Sequence, residues 1–402
     1  MTTPRQTRWY MTGVLCWFVG AGAQATLYPW LVTVSLGEEA FRVGVAQMVS
    51  MLPALLLMLV GGAFADQHDC RRVLVGVHCL AALPPLMLAA LLGAGHQSYG
   101  VVLLYAVGMG SLSAFAIPAR DSLLSRVAGT DIQRTVTLAI VLQTVAQVAG
   151  SAIGGSAAAI GAESVLVFQA LANLAGALAC WRLLPAPASA GSEAHGRLAE
   201  IQAGLRELVG TRRLSTVTLL SASIGLLFLG PFLVALPLMI RDLYGGSAPE
   251  IAGVNAAMML GMLAGAAGLL ARGGVDRQGR AFVASLAAGA VMLLGVSLGP
   301  PLPIVYAFVF LFGVGGGIAT PAGRTLVQEA APESHRARIL SAYSMGFMGG
   351  APIGALATGL IADALGPLPA IAIPAGCMLL VIGTTLFASD AWHWTSAGNR
   401  EA

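Results

Sequence analysis

GGAFADQHDCRR, residues Gly61 to Arg72, joins two apolar runs that are each long enough to cross a bilayer. Two glycines, two carboxylates and two arginines are packed into this short connection. A helix ending at Asp66, followed by Arg71 and Arg72, puts opposite charges at the membrane surface, where they can pair, and gathers cations on one face. The stretch therefore reads as a hinge between two spans. GVDRQGR, Gly274 to Arg280, echoes it after another apolar run, with Asp276 and Arg280 in comparable places. Two such hinges imply a duplicated chain.

Composition agrees. Hydrophobic residues are 57% of 402 and charged residues 10%, which leaves too little polar surface to wrap a soluble globule of this size. The chain is expected to be an all-α integral membrane protein. All 21 basic residues are arginine, so the net charge of +3 reflects arginine placement and calls for no nucleic acid. Cys16, Cys70, Cys79, Cys180 and Cys377 have neither metal nor redox spacing and read as small apolar packing residues. Neither a nucleophile elbow nor a phosphate loop is present. The glycines at Gly313, Gly315, Gly316 and Gly317 lie inside an apolar run, so no enzyme and no cofactor is expected.

Twelve spans are expected: Trp9–Val34, Val43–Ala65, Val73–Ala94, Tyr99–Pro118, Thr135–Gly161, Val165–Leu183, Leu214–Ile240, Ile251–Ala271, Ala281–Leu298, Leu302–Ala322, Ile339–Ala362 and Ile371–Ala388. The first apolar run is longer than a signal-peptide core and has no A-x-A exit, so it reads as a retained span. With alternate connections placed inside, nineteen arginines fall there and only Arg42 and Arg241 fall opposite. That asymmetry puts both termini in the cytoplasm of a cell whose inner membrane holds the protein. Residues 1–184 then form one six-helix half and 214–402 the other. The linker 185–213 carries Leu198, Ile201, Leu205 and Leu208 at helical spacing, as expected of a helix along the membrane surface.

A second feature is also repeated. AIPARDSLLSRVAGTD after the fourth span matches ATPAGRTLVQEAAPES after the tenth, with Pro118 aligned to Pro321 and Leu123 to Leu326. Gly150, Gly154 and Gly155 in the fifth span correspond to Gly346, Gly350 and Gly354 in the eleventh. Small residues four apart let helix backbones approach closely in lipid.

Gly20, Gln24, Trp30-Leu31-Val32, Met51 to Leu55, the first hinge, Pro118-Ala119-Arg120 and the Gly150 to Gly155 cluster together resemble the major facilitator superfamily. Within it the chain looks most like the branch that includes the enterobactin exporter and related small-molecule exporters. The resemblance implies two pseudo-symmetric six-helix bundles around a cavity that opens alternately to either side. The superfamily's hinge motif, Gly-x-x-x-Asp-Arg-x-Gly-Arg-Arg/Lys, carries onto Gly62, Asp66, Arg71 and Arg72, and departs from it at Gln67, Asp69 and Cys70. The resemblance implies that Asp66 latches the second helix to the start of the eleventh and holds the cytoplasmic gate. Arg71, Arg72 or Arg120 could complete its pair, and Asp121, Asp276 and Arg280 join the gating set.

Two departures bear on energy coupling. Ser151 replaces the proline of the fifth-helix antiporter motif, and the fourth helix has no buried arginine. Apart from His78, about one turn inside the third span, no ionisable residue lies deep in a span, so a proton partner would have to titrate at Asp66 or Asp121 or travel with the substrate. For the cavity the polar candidates are Gln24, Gln47, Gln143, Gln147, Asn255 and Tyr343, with Trp30 and Tyr105 as aromatic platforms. Each amide either bonds another helix or faces water. The expected function is export of a small amphipathic compound by a monomer in the lipid bilayer. A lipid or lysophospholipid flippase of the same fold, or a membrane sensor without turnover, are the alternatives.

Overall fold

The computed structural model describes residues 4–128, 132–185, 211–272, 276–332 and 336–395. The expected linker helix over Leu198 to Leu208 lies outside these residues. Among the described residues the regular structure is entirely helical. We number the long helices α1 (Pro4–Trp30), α2 (Ala40–Gln67), α3 (Cys70–Gly93), α4 (Tyr99–Ala128), α5 (Ile132–Gly155) and α6 (Ala162–Trp181). The second half supplies α7 (Arg212–Tyr244), α8 (Ala248–Ala271), α9 (Gln278–Ser297), α10 (Leu302–Ala330), α11 (Arg336–Leu365) and α12 (Pro367–Ala388).

Eleven of these, α2 to α12, are long and apolar enough to cross a membrane. α1 has the length, 27 residues, or about 40 Å at 1.5 Å per residue. Its apolar character is diluted by Thr12, Gly13, Gly20, Gly22 and Gln24, which is why it reads more weakly than its neighbours. The protein is an all-helical integral membrane protein.

Two helices run further than their apolar cores. α4 continues past Pro118 to Ala128 and α10 past Pro321 to Ala330, so the repeated Pro-Ala segments are helical extensions. α3 is interrupted at Ala81 and Ala82 because Pro84 and Pro85 have no amide hydrogen to return to the preceding turn. α7 widens into π-helical turns at Gly225–Leu229 and Pro231–Ala235, where Pro231 removes a further donor.

The chain forms two compact units. The first holds Met1–Glu38, Val49–Ala194 and Gly245–Ala256; the second holds Glu39–Met48, His195–Tyr244 and Ala257–Ala402. The start of α8 thus belongs with the first unit and the start of α2 with the second.

In the first unit α1 packs along α5 and α6. Glycines make this possible: an added Cβ at Gly150 would lie 2.0 Å from the Val19 carbonyl, and one at Gly22 would lie 2.1 Å from that of Gln147. In the second unit α9 packs on α10 and α12, while α11 lies along α7. Gly354 approaches Leu226 as closely as Gly150 approaches Val19, since a Cβ there would be 2.2 Å from the Leu226 carbonyl. The small-residue faces expected in the fifth and eleventh spans are the faces used.

Candidate transport site and gate

At the first hinge Asp69 stands where the superfamily has glycine. Its extended backbone ends the turn, and its Oδ1 accepts from the Arg71 amide at 2.9 Å, so Asp69 caps α3. Arg71 reaches back to the end of α6 and donates to the Trp181 carbonyl at 2.5 Å. Arg72 points outward, its side chain 87% exposed and its Nε 4.0 Å from Asp69 Oδ2. Gly62 and Asp66 are half-buried on the last turns of α2. Beside them Gly61 lets α2 approach α4, since a Cβ there would lie 2.2 Å from the Ala114 carbonyl.

Arg120, on the α4 extension, lies 4.9 Å over the Phe18 ring, with its Nε 3.5 Å from Asp121 Oδ1. The Tyr10 hydroxyl donates to the Arg120 carbonyl at 3.3 Å. Of the three arginines considered as partners for Asp66, Arg71 bonds the Trp181 carbonyl, Arg72 stands near Asp69 and Arg120 beside Asp121. Asp121 is largely exposed and pairs along its own helix.

Residues 273–275 of the second hinge lie outside the described set, and Asp276 is exposed. Arg280 sits 5.0 Å from the Trp392 ring centroid, and the Gly279 amide donates to the Trp394 carbonyl at 3.0 Å. A short 3-10 turn, Ala391–His393, lies against this helix start, and Ala391 is fully buried. Reading the sequence did not find this tail. Its signal was present, however, in two tryptophans placed just after the last apolar run.

The polar candidates of the spans fall into two groups. Asn255, at the start of α8, donates through Nδ2 to the Ala25 carbonyl at 3.1 Å and to Thr26 Oγ1 at 3.2 Å. Pro29 explains the first bond, because it has no amide hydrogen to give to Ala25 four residues earlier. Thr26 in turn bonds Ser151 at 2.6 Å, fully buried, so the serine that replaces the motif proline ties α5 to α1. Trp30 Nε1 donates to Ser247 Oγ at 3.0 Å. Tyr105 is buried and donates to Gln169 Oε1 at 2.8 Å, while Gln169 Nε2 donates to Gln24 Oε1 at 3.2 Å. Tyr343 accepts from Ser221 at 2.8 Å.

These side chains bond neighbouring helices. Gln143 is half-buried and makes no side-chain hydrogen bond among the described residues, and Gln24 keeps its amide N–H groups uncommitted there. Sequence reading missed Gln169, Thr26 and Ser247, whose roles depend on partners more than 60 positions away. It also missed Asn173, which donates at 3.0 Å to the Ala81 carbonyl that Pro85 leaves without a donor. His78 is 3% exposed and edge-on to Trp17, with Nδ1 unpartnered in a cavity of about 20 Å³. No cluster of metal-ligating side chains occurs among the described residues.

Paired hinges, close-packed glycine faces and sparse buried polar groups on membrane-crossing helices define a transporter of the major facilitator kind. More narrowly, the chain belongs to the transmembrane secretion effector family, MFS_3, whose model matches residues 8–398. It is 28% identical over 385 residues to the multidrug efflux pump Tap of Mycobacterium tuberculosis H37Rv, covering 90% of this chain and 89% of that one. The Tap pump of Mycolicibacterium fortuitum is 26% identical over 363 residues, covering 86% and 87%.

Among solved structures, a bacterial homologue of the lysosomal transporter Spinster superposes with a TM-score of 0.78 at 13% identity, covering 99% of this chain and 100% of that one. The nucleoside transporter NupG superposes with a TM-score of 0.76 at 13% identity, covering 96% and 99%. These two share the major facilitator fold. Family and relatives make the protein a transporter and not an enzyme.

Proposed function

We propose that the chain is a secondary exporter that moves small amphipathic organic compounds out across the cytoplasmic membrane by alternating access. The whole-length similarity to pumps named for multidrug efflux supports export. The observation that carries the choice of cargo is the polar inventory of the spans. Most candidate amides, hydroxyls and indoles are spent on neighbouring helices, which leaves Gln143, Gln147 and the amide of Gln24 among the described residues as groups that could meet a solute. A site marked by neutral amides among apolar side chains selects by shape and apolar area rather than by a fixed charge.

In this reading residues 1–184 and 214–402 are the two bundles, 185–213 is a cytoplasmic linker, both termini are cytoplasmic, and the monomer is the working unit. Within the superfamily the chain looks most like the enterobactin-exporter-like branch. Gly62 and Asp66 form the moving part of the gate, with Arg71, Arg72, Arg120 and Asp121 anchoring its helices and Asp276 with Arg280 as the counterpart. If protons drive transport, they enter at Asp66 or Asp121 or travel with the substrate, because apart from His78 no ionisable residue lies deep in a span.

The test compares cells that lack the protein, cells that express it and cells that express Asp66→Asn, each loaded with a panel of lipophilic acids, bases and neutral compounds. Intracellular retention is read by mass spectrometry. Expression should lower retention of several compounds regardless of charge. Asp66→Asn, correctly inserted, should restore retention by roughly tenfold or more, the scale of one lost charge-assisted contact. Equal retention in all three strains would remove the exporter reading. A change in membrane lipid composition alone would put a flippase in its place.

A further inference from the structure

A cleft of about 460 Å³ opens beside the first hinge and takes in its Asp69 and Arg72. Its walls are Phe64 of α2, Val73, Gly76 and Leu80 of α3, and Leu112 and Phe115 of α4. Phe64 packs edge-on against Phe115 at 5.8 Å. Leu80, half exposed, and Phe64, about two-fifths exposed, form the outer lips.

The polar groups are all at one end. His68 stacks on Phe64 at 4.0 Å with its Nδ1 2.9 Å from the Phe64 carbonyl, and Arg72 is 87% exposed with its Nε 4.0 Å from Asp69 Oδ2, while Asp69 Oδ1 caps α3. From Arg72 to Leu80 the cleft follows α3 for about two turns, roughly 12 Å, into the apolar part of the span. Gly76 lies midway, and an added Cβ there meets no atom within 4 Å. The helix thus gives up side-chain volume at the point where the cleft needs room.

We propose that this cleft binds an anionic membrane phospholipid, with its phosphate at Arg72 and His68 and one acyl chain along Gly76 and Leu80. The division of the walls matches an amphiphile with its head at the hinge and its tail toward the bilayer centre. An exposed guanidinium is the group that recognises a phosphate diester, and basic pockets between spanning helices hold lipid head groups. Each methylene taken up adds apolar burial, so the tail contributes alongside the head group. Because Asp69 caps the helix that carries Arg72, an occupied cleft would stiffen the hinge.

The test uses the purified full-length protein in detergent, titrated separately with phosphatidylglycerol and phosphatidylcholine and followed by native mass spectrometry. The tightest phosphatidylglycerol should bind better than phosphatidylcholine. Arg72→Gln, which removes the phosphate partner, and Gly76→Leu, which fills the acyl channel, should each weaken it about tenfold. Gly93→Leu is the control, since a Cβ there also meets open space and Gly93 lies outside the cleft. It should leave binding unchanged. Wild-type affinity in both cleft variants, an equal loss in the control, or equal affinity for the two lipids would each overturn the proposal. The measurement reads lipid binding without transport, so its outcome does not depend on the exporter reading.

Discussion

The two halves of the chain anchor their first, third and last helices by different means. In the first half Gln6 accepts from the Leu184 amide at 2.8 Å, Arg182 lies 5.3 Å over Trp9, and Arg71 grips the Trp181 carbonyl. The cation sits just after the last helix of that half and the ring on its first. In the second half Arg212 donates to the Ala388 carbonyl, Arg213 lies 5.5 Å over Trp394, and the Gly279 amide donates to the Trp394 carbonyl. Here the cation is on the first helix and the ring follows the last. The first half ties its ends with the few residues directly after its last helix, Arg182 to Leu184, whereas the second uses a longer tail that reaches Trp394. A duplicated chain can keep the joint and exchange which partner supplies the charge.

Gly279 breaks this comparison most severely. A Cβ there would lie 2.1 Å from the Ala391 carbonyl, a backbone atom that cannot swing aside. Gly279→Leu should expel the tail and cost about 2–3 kcal/mol, the upper part of the range for overpacking. It should lower the thermal unfolding midpoint in detergent and expose 389–395 to protease. An unchanged midpoint would mean that the tail contributes nothing to the second half.

Next in size is Asn255→Leu, which leaves the Ala25 carbonyl without the donor that stands in for Pro29 and removes one of the two bonds of Thr26. We expect a loss of about 1–3 kcal/mol, the penalty for an unsatisfied buried acceptor. Gln143→Leu should leave the midpoint unmoved while altering efflux. A reversal of these two outcomes would exchange the roles we give to these amides.

Asp69→Ala should cost about 1 kcal/mol through the lost cap, whereas Asp69→Gly, the superfamily's residue, should cost a few tenths. The smallest effects belong to the rings. Trp9→Leu and Trp394→Leu keep apolar bulk and lose the face offered to arginine, worth about 0.5–1 kcal/mol each at exposed sites. Similar losses in both would show that the exchanged pairs are equivalent. A loss confined to Trp394→Leu would show that the tail bears more of the joint.

Much of this was legible in the residues. Apolar run length located the spans, and the glycines of the fifth and eleventh spans marked the close-packed faces, because a Cβ is excluded wherever they touch backbone. The site was less legible. Asn255, Gln24 and Tyr105 were recognisable as polar groups in apolar runs, but whether each faced a cavity depended on its neighbours. Two of the decisive partners are carbonyls freed by Pro29 and Pro85. The prolines are visible in sequence, yet the side chains that answer them, Asn255 and Asn173, come from distant helices. Ser151 looked like a departure from a motif and is instead a buried bond to Thr26. The C-terminal tail escaped notice because Trp392 and Trp394 lie beyond the last apolar run, where periodicity carries no signal.

The measurement that bears most directly on the account is efflux in liposomes reconstituted with the full-length protein under an imposed proton gradient. The cargo would be matched lipophilic compounds that differ in charge but not in apolar area. We expect directional movement of cationic, neutral and anionic members at comparable rates, together with its loss in Asp66→Asn. Movement of a single charge class, or no movement of any compound by protein shown to be folded and inserted, would contradict an apolar, amide-marked export site.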